Sequence, residues 1–112
     1  MSRRFIVTRF RLSEGDTIGE YRAWSLSYLR PVLRGYPSVV SFLDFAVVGA
    51  EPEGGERWDG CEIIEVTDFA AFAEDDATGE GAKLSAAWRD RVAGWSIDRL
   101  EDLAEFEDSA GP

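Results

Sequence analysis

The feature that most constrains the fold of this chain is a helical pattern that runs directly into an apolar strand pattern, within residues 20–49. Apolar side chains recur with helical spacing over about residues 17–34. Pro31 should kink or split this helix, and Gly35 should end it. Residues 39–48 (VVSFLDFAVV) are almost continuously apolar, which is typical of a strand buried on both faces. The segment therefore predicts a long helix followed closely by a strand.

Three further strands are predicted on either side of this segment. Residues 4–12 are rich in Phe, Ile, Val and Thr, and their alternation places Thr8 and Phe10 on one face. Residues 61–66 (CEIIEV) predict another strand. Within residues 95–106, Ile97, Leu100, Leu103 and Ala104 have helical spacing, yet a strand is favoured there because the fold needs a fourth strand.

Two shorter helices are predicted after the strand at residues 61–66. Asp68 is a candidate N-cap for a helix that carries Phe69 and Phe72. A loop over residues 75–81 should separate this helix from another, which carries Leu84, Trp88 and Val92. The order β-α-β-β-α-β, with the last two helical segments on one crossover, is that of a ferredoxin-like α+β unit with a four-stranded antiparallel sheet.

The length of the chain, 112 residues, suits one domain with a single core. We expect residues 1–106 to form this domain and residues 107–112 to form a flexible tail. A sheet covered by helices on one side leaves its other face bare. We therefore expect a homodimer that covers this face.

The net charge of −10 is unevenly distributed, with +3 on residues 1–50 and −13 on residues 51–112. An acidic surface repels phosphate backbones, so nucleic acid is not an expected partner. The single cysteine, Cys61, cannot form an internal disulfide, which favours a reducing, cytoplasmic compartment. The first residues lack the apolar run of a signal peptide, and no segment is apolar enough to span a bilayer, so no membrane partner is expected.

The sequence contains no histidine. This excludes Ser-His and Cys-His triads, the usual zinc sites and histidine-ligated haem. The glycines of GAEPEGG and TGEGAK match neither a phosphate-binding loop nor a dinucleotide fingerprint. The acids of residues 73–76 lack the spacing of a calcium loop. No cofactor and no metal are therefore expected.

Carboxylates within the strand patterns are the candidate acid–base groups. Asp44 interrupts an apolar run, so it must be solvated at a strand end, paired with Arg9 or Arg11, or protonated. A protonated or partly desolvated Asp44 would be a general acid or base facing a pocket. Glu62 and Glu65 should lie on opposite faces of their strand because their separation is odd, so at most one points toward the helices.

Aromatic side chains are the candidate substrate-binding groups. Trp24 and Tyr28 lie one helical turn apart, and they either pack in the core or form a wall with a hydroxyl donor for a planar ligand. Trp58 in a loop and Trp88 in a later helix could close such a pocket. The predicted substrate-binding residues are Tyr21, Trp24, Phe42, Trp58, Trp88 and Arg9, and the predicted catalytic residues are Asp44, Tyr28 and Glu62.

Several short motifs follow one another within residues 4–76. They are Glu20-Tyr21, Trp24, Pro31-Val32, Pro37-Ser38-Val39, Ser41-Phe42, Gly49, Glu62-Ile63-Ile64-Glu65-Val66-Thr67-Asp68 and Phe72. Their order resembles that of the RedY/HapK-like proteins, which belong to the wider dimeric α+β barrel superfamily together with EthD-like proteins, small polyketide cyclases and cofactor-free monooxygenases.

This resemblance implies a homodimer with a pocket between sheet and helices in each subunit. It also implies a role in bacterial pyrrole or indole natural-product pathways, where cyclisation or condensation of an unstable intermediate has been proposed. Relatives often carry a His or Asp in the helix after the tryptophan. Residues 25–30 contain neither, so Tyr28 or Asp44 would have to take that role.

We therefore expect a cofactor-independent enzyme of small-molecule biosynthesis, a cyclase or condensing enzyme acting on a pyrrole- or indole-type aromatic intermediate. Trp24 and Tyr28 would hold the planar substrate, while Asp44 or Glu62 would move a proton. A cofactor-free monooxygenase of an electron-rich aromatic is the alternative chemistry. A non-catalytic homodimer that binds a metabolite or a partner protein is the alternative to an enzyme.

Overall fold

The computed structural model describes residues 2–106, and the tail expected at residues 107–112 lies outside this range. Its strands pair antiparallel in the order β2-β3-β1-β4. This is the α+β, ferredoxin-like arrangement that the element order predicts. The strands are β1 (Arg4–Leu12), β2 (Val39–Ala46), β3 (Gly60–Val66) and β4 (Val92–Glu101). The helices are α1 (Ile18–Trp24), α2 (Arg30–Arg34), α3 (Phe69–Ala77) and α4 (Gly79–Arg91), with a π-helical turn, Ser25–Leu29, between α1 and α2.

Strand β1 lies inside the sheet, between β3 and β4. Ile6 and Phe10 are only 5% and 0% exposed, and they belong to the core under the helices. Phe5 and Arg9 alternate with them and therefore lie on the opposite, open face. The core consists of Ile6, Phe10, Tyr21, Leu29, Leu33, Tyr36, Phe42, Ile64, Val66, Leu84 and Val92.

The helical segment before β2 is divided near Pro31, as the sequence predicts. Proline lacks an N–H and crowds the carbonyl four residues earlier, here that of Ser27. The π-helical turn lies directly before Pro31, and the N–H of Arg30 donates to the carbonyl of Ser25 within it. This wider turn accommodates the proline without ending the helix, and its first residue, Ser25, is buried.

The prediction that the strand at residues 39–48 is buried on both faces is wrong for the single chain. Strand β2 lies at the edge of the sheet and ends at Ala46. Phe42 is 2% exposed, whereas Leu43 and Phe45 are 51% and 47% exposed. The apolar run therefore reflects one face packed in the core and a second apolar face that no element among residues 2–106 covers.

The loop predicted at residues 75–81 is also wrong, because Thr78 alone separates α3 from α4. Gly79 has a φ of +54°, which allows the sharp change of direction between the two helices. Gly81 is buried, and a Cβ at this position would clash with the carbonyl of Asp75. The two glycines therefore permit close contact between helices rather than marking a long loop.

The ambiguity over the last element is resolved in favour of a strand, although its bounds differ from the expectation. Strand β4 begins at Val92, a residue expected in the preceding helix, and ends at Glu101 rather than Phe106. It pairs with β1 along its length, with Trp95 opposite Phe10. No helix among residues 2–106 has the length and apolarity needed to cross a membrane.

Candidate functional site

A cleft of about 230 Å³ lies between the helix-facing side of the sheet and helices α3 and α4. We call it the Glu62 cleft. Thr8, Glu62 and Trp95 belong to its sheet side, and Phe72 and Trp88 belong to its helix side. Its volume is slightly below the range of about 300–1,000 Å³ for pockets that bind drug-sized molecules, so the cleft suits a small ligand.

Glu62 reaches the cleft because of the alternation along β3. It shares a face with the core residue Ile64, is 5% exposed, and pairs in register with Thr8 on β1 and Asp44 on β2. Burial raises the pKa of Glu62 to about 8, and the negative charge of Asp44 acts in the same direction. A hydrogen bond from Tyr21 opposes this rise. A carboxyl group with such a pKa can both donate and accept a proton near neutral pH.

Tyr21 holds one oxygen of Glu62. Its hydroxyl donates to Glu62 Oε2 at 3.3 Å and accepts from Trp88 Nε1 at 3.0 Å. Burial raises the pKa of Tyr21 above its ordinary value, and the charge of Glu62 adds to this rise, so the phenol keeps its proton. Glu62 Oε1 accepts no hydrogen bond from residues 2–106 and is not sealed from solvent, so it is the oxygen that a ligand can reach.

The pairing expected for Asp44 is wrong. Arg9 and Arg11 lie on the open face of the sheet, opposite to Asp44, because they alternate with the inward-facing residues of β1. Arg9 pairs with Asp98 at 2.9 Å, and Arg11 pairs with Glu56 at 3.2 Å. Arg9 is therefore not a residue of the Glu62 cleft.

Asp44 instead forms a largely buried ion pair with Arg30. Arg30 Nε donates to Asp44 Oδ1 at 2.7 Å, and the Ser25 hydroxyl donates to Asp44 Oδ2. The side chain of Asp44 is 9% exposed. A larger concavity of about 430 Å³ opens at these residues. Among residues 2–106, Asp44 is the only carboxylate that lines it, and both of its oxygens accept hydrogen bonds. Asp44 is therefore placed to act on Glu62 through its charge rather than to transfer a proton.

Three charged residues of the Glu62 cleft were not predicted, namely Asp76, Arg89 and Arg99. Asp76 accepts a hydrogen bond from the Tyr36 hydroxyl at 2.8 Å. Burial raises the pKa of Asp76, against the opposing effects of this hydrogen bond and of the Arg89 charge. Arg99 shares a strand face with Trp95, and alternation along β4 could have revealed both once the strand was placed. No sequence signal distinguishes Arg89 from other exposed helix residues.

The remaining predicted aromatic residues lie elsewhere. Trp24 and Tyr28 do pack against each other, with ring centroids 5.9 Å apart, but neither lines the Glu62 cleft. Phe42 is part of the core. Trp58 lies in the loop before β3, where the Arg11 guanidinium sits 4.6 Å from its ring centroid.

The structure thus brings together Tyr21, Glu62 and Trp88, with Asp44 beside Glu62. Glu65 lies on the opposite face of β3 and pairs with Arg3 at 3.0 Å, as the odd spacing predicts. Among residues 2–106, no group of three or more Cys, Asp or Glu side chains is arranged to hold a metal ion. The site is therefore built from one buried acid, its hydrogen-bonded phenol and an aromatic lining.

Solved structures share this fold at low sequence identity. The crystal structure of HapK from Hahella chejuensis has a TM-score of 0.72 and 23% identity, over 95% of this chain and 98% of that one. A DABB family protein with a ferredoxin-like fold from Mesorhizobium loti has a TM-score of 0.72 and 13% identity, over 92% and 99%. A dimeric ferredoxin-like protein of unknown function from Thermobifida fusca has a TM-score of 0.70 and 11% identity, over 90% and 92%.

No protein with a curated description matches the sequence. The model of the family described as REDY-like protein HapK matches residues 4–107, which is nearly the whole chain. The match includes all four strands and every residue of the Glu62 cleft. The chain therefore belongs to the REDY-like HapK family.

Proposed function

We propose that the protein is a cofactor-independent enzyme of small-molecule biosynthesis, which uses Glu62 as a general acid and base in the cyclisation or condensation of a pyrrole- or indole-type intermediate. One observation carries this proposal. Glu62 is a buried carboxyl group with a pKa of about 8, and one of its oxygens opens into an aromatic cleft. Membership of the REDY-like HapK family supports the proposal that the substrate is a pyrrole- or indole-type intermediate. A cytoplasmic location remains a prediction.

Glu62 can serve both proton transfers of a condensation. In its protonated form it donates a proton to the carbonyl oxygen of one reactant while a ring carbon of the other reactant attacks the carbonyl carbon. The carboxylate then removes the proton from the ring carbon that formed the new bond, which restores the aromatic ring and the protonated acid. The product is the alcohol adduct, with no net gain or loss of protons. General acid–base catalysis of this kind contributes about 10²–10⁴-fold in rate.

The aromatic lining can orient a planar substrate for this step. Trp88 and Trp95 form a corner of the cleft, with ring centroids 5.5 Å apart and an interplanar angle of 65°. Trp95 is 43% exposed, so its surface is open to a ligand. Trp88 also donates to the tyrosine that holds Glu62, so the binding surface and the acid are positioned by the same side chain. Fixed orientation lowers the barrier further by removing rotational freedom before reaction.

We further propose that the protein is a homodimer whose subunits pair through the open face of the sheet. Leu43, Ile63 and Leu100 on this face are 51%, 38% and 43% exposed. Leu43 and Ile63 are paired in register across β2 and β3, and Val7 continues the same row on β1. A contiguous apolar surface of this kind is uncommon on monomers and typical of interfaces. The similar protein from Thermobifida fusca is described as dimeric.

Ile63→Glu tests the dimer. A charged side chain buried without a partner costs about 3–5 kcal/mol, so the dissociation constant of the dimer should rise at least about a hundredfold. Val48→Glu is the matched control, because Val48 is 98% exposed in a loop outside the sheet. Sedimentation velocity over a concentration series measures both variants. A wild-type protein that sediments only as a 12.5 kDa species at all concentrations contradicts the dimer.

The acid–base role is tested with 5-nitrobenzisoxazole, a planar bicyclic probe of about the size of a substituted indole. A carboxylate removes the proton from its C3 carbon, the N–O bond breaks, and a coloured cyanophenolate forms. The reaction needs no cofactor and is faster with a base in an apolar environment. We expect the protein to cleave the probe faster than an equal concentration of acetate does. The rate should rise with pH to a plateau, with the midpoint of the rise near pH 8, because ionised Glu62 is the base. Binding of the probe without cleavage would support the non-catalytic alternative.

Two substitutions should move this midpoint in opposite directions. Asp44→Asn removes a negative charge beside Glu62 and should lower the midpoint, because the charge of Asp44 raises the pKa of Glu62. Tyr21→Phe removes the hydrogen bond that lowers the same pKa and should raise the midpoint. The probe reaction from pH 5 to 10, together with ¹³C NMR titration of the glutamate carboxyl groups, measures both shifts. Shifts of the same sign in the two variants would exclude Glu62 as the titrating base.

A further inference from the structure

We propose that the substrate of the Glu62 cleft is an aromatic carboxylate, and that Arg89 and Arg99 bind its carboxylate group. This inference rests on the proposed function, because it assigns a substrate class to the same site. Both arginines line the cleft and both are exposed, Arg89 on the helix side and Arg99 on the sheet side. Their guanidinium groups therefore lie at the solvent-facing part of the cleft, on two different walls.

Neither arginine is used elsewhere within residues 2–106. The ion pairs of this part of the chain involve Arg3, Arg9, Arg11, Arg30, Arg91 and Lys83. Arg4 and Arg34 donate to backbone carbonyls. Arg89 and Arg99 take part in none of these contacts. An exposed arginine without a carboxylate partner is available to a ligand, and its planar group can bind a carboxylate with two parallel hydrogen bonds.

The charge of the surrounding sequence makes this placement unusual. Residues 51–112 contain eighteen acidic residues and only five basic ones. Two of the five line this one cleft without forming an ion pair in the described residues, although acids are abundant nearby. Arg22 and Arg57 also form no ion pair within residues 2–106, but they line two different concavities, and the second arginine beside Arg22, Arg30, is paired with Asp44. The Glu62 cleft thus combines two arginines that form no ion pair within the described residues with an aromatic surface.

Neither acid of the cleft, Asp76 nor Glu62, forms an ion pair with these two arginines. The carboxyl group of Asp76 accepts from the Tyr36 hydroxyl, and it is not within ion-pair distance of Arg89. Glu62 has a pKa of about 8 and is mostly uncharged at pH 7, so it does not repel an anionic ligand there. Binding of a carboxylate should therefore weaken as the pH rises above 8.

The same geometry gives the arginines a role in orientation. Trp88, Trp95, Glu62 and both arginines line the same cleft, and Glu62 is buried whereas the arginines are exposed. A ring bound against the two tryptophans would therefore have the arginines toward solvent and Glu62 toward the interior. An acidic group held by Arg89 and Arg99 would therefore turn the opposite edge of the ring toward Glu62. Such an anchor fixes which ring carbon meets the acid, which is a requirement of a regioselective condensation.

The test compares two ligands of the same shape and different charge, indole-2-carboxylate and indole-2-carboxamide, by isothermal titration calorimetry at pH 7 and low salt. The protein carries a net charge of −10, so its overall field disfavours the anion, and any preference for it must be local. We expect the carboxylate to bind the wild type at least about tenfold more tightly than the amide. In the double variant Arg89→Gln/Arg99→Gln, the ratio of the two dissociation constants should fall to about one.

Arg22→Gln is the matched control, because it removes an arginine that lines the larger concavity and forms no ion pair within residues 2–106, so it should leave the ratio unchanged. Equal binding of the two ligands by the wild type, failure of the carboxylate to bind, or a preference that survives in the double variant would each overturn the inference. Cleavage of 5-nitrobenzisoxazole, which carries no carboxylate, reports on Glu62 separately. If that reaction proceeds while the carboxylate preference is absent, only the substrate class is wrong.

Discussion

Glu62→Gln is expected to lower the rate of 5-nitrobenzisoxazole cleavage by about 10²–10⁴-fold while the variant keeps its fold. Glutamine has nearly the same shape as protonated glutamate and can accept the hydrogen bond from Tyr21, but it cannot take up a proton. The loss should be largest above pH 8, where the wild-type carboxylate is ionised. Stopped-flow or steady-state absorbance of the cyanophenolate at pH 9 measures the effect.

Glu65→Gln is the matched control for this substitution. Glu65 lies three residues further along β3, on the opposite face of the sheet, where it pairs with Arg3. The chemical change is identical, yet the rate should stay within about twofold of the wild type because Glu65 does not reach the cleft. Equal losses in the two variants would show that a general effect on the strand, rather than proton transfer by Glu62, explains the result.

Strand alternation is the part of the Glu62 cleft that a single sequence predicts reliably. The odd spacing of Glu62 and Glu65 is a local property of a strand, and it correctly predicts that only one of them points toward the helices. The alternation of β1 likewise places Thr8 and Phe10 under the helices. Such predictions succeed because side chains of a strand alternate whatever the rest of the chain does.

The partner of Asp44 could not be found in the same way. Which helical residue faces β2 depends on how the helix is rotated against the sheet, and this rotation is changed by the π-helical turn before Pro31. The turn places Ser25 and Arg30 against Asp44 together. Sequence alone offers cross-strand arginines as equally plausible partners, because it does not show which sheet face is open.

The apolar run at residues 39–48 shows a difference between the burial that a sequence indicates and the burial seen in a single chain. Its continuous hydrophobicity indicates burial on both faces, but the single chain buries only one of them. A sequence records the surfaces buried in the assembled protein, whereas the fold of one subunit shows only those buried within it. The mismatch at Leu43 and Phe45 is what a homodimer through the open face would produce.

The pH dependence of stability should identify Glu62 without any substrate. Its pKa is about 8 in the folded protein against an ordinary value of 4.5, so between these values the folded state holds a proton that the unfolded state has lost. Stability therefore falls as the pH rises through this window, by at most about 1.4 kcal/mol per pH unit. Glu62→Gln lacks this titration. The free energy of unfolding of the wild type minus that of Glu62→Gln should fall by up to about 4 kcal/mol from pH 5 to pH 8.

Urea denaturation at a fixed protein concentration measures this difference, and urea avoids the screening of charges by guanidinium. Glu65→Gln again serves as the control. The ion pair with Arg3 lowers the pKa of Glu65, so this group is ionised in both states above pH 5 and its substitution should give a difference that does not vary up to pH 8. A difference for Glu62→Gln that is equally flat would mean that Glu62 is already ionised in the folded protein. A fall would instead show that the wild type loses stability relative to Glu62→Gln as the pH rises, which is the cost to the fold of a buried carboxyl group that ionises.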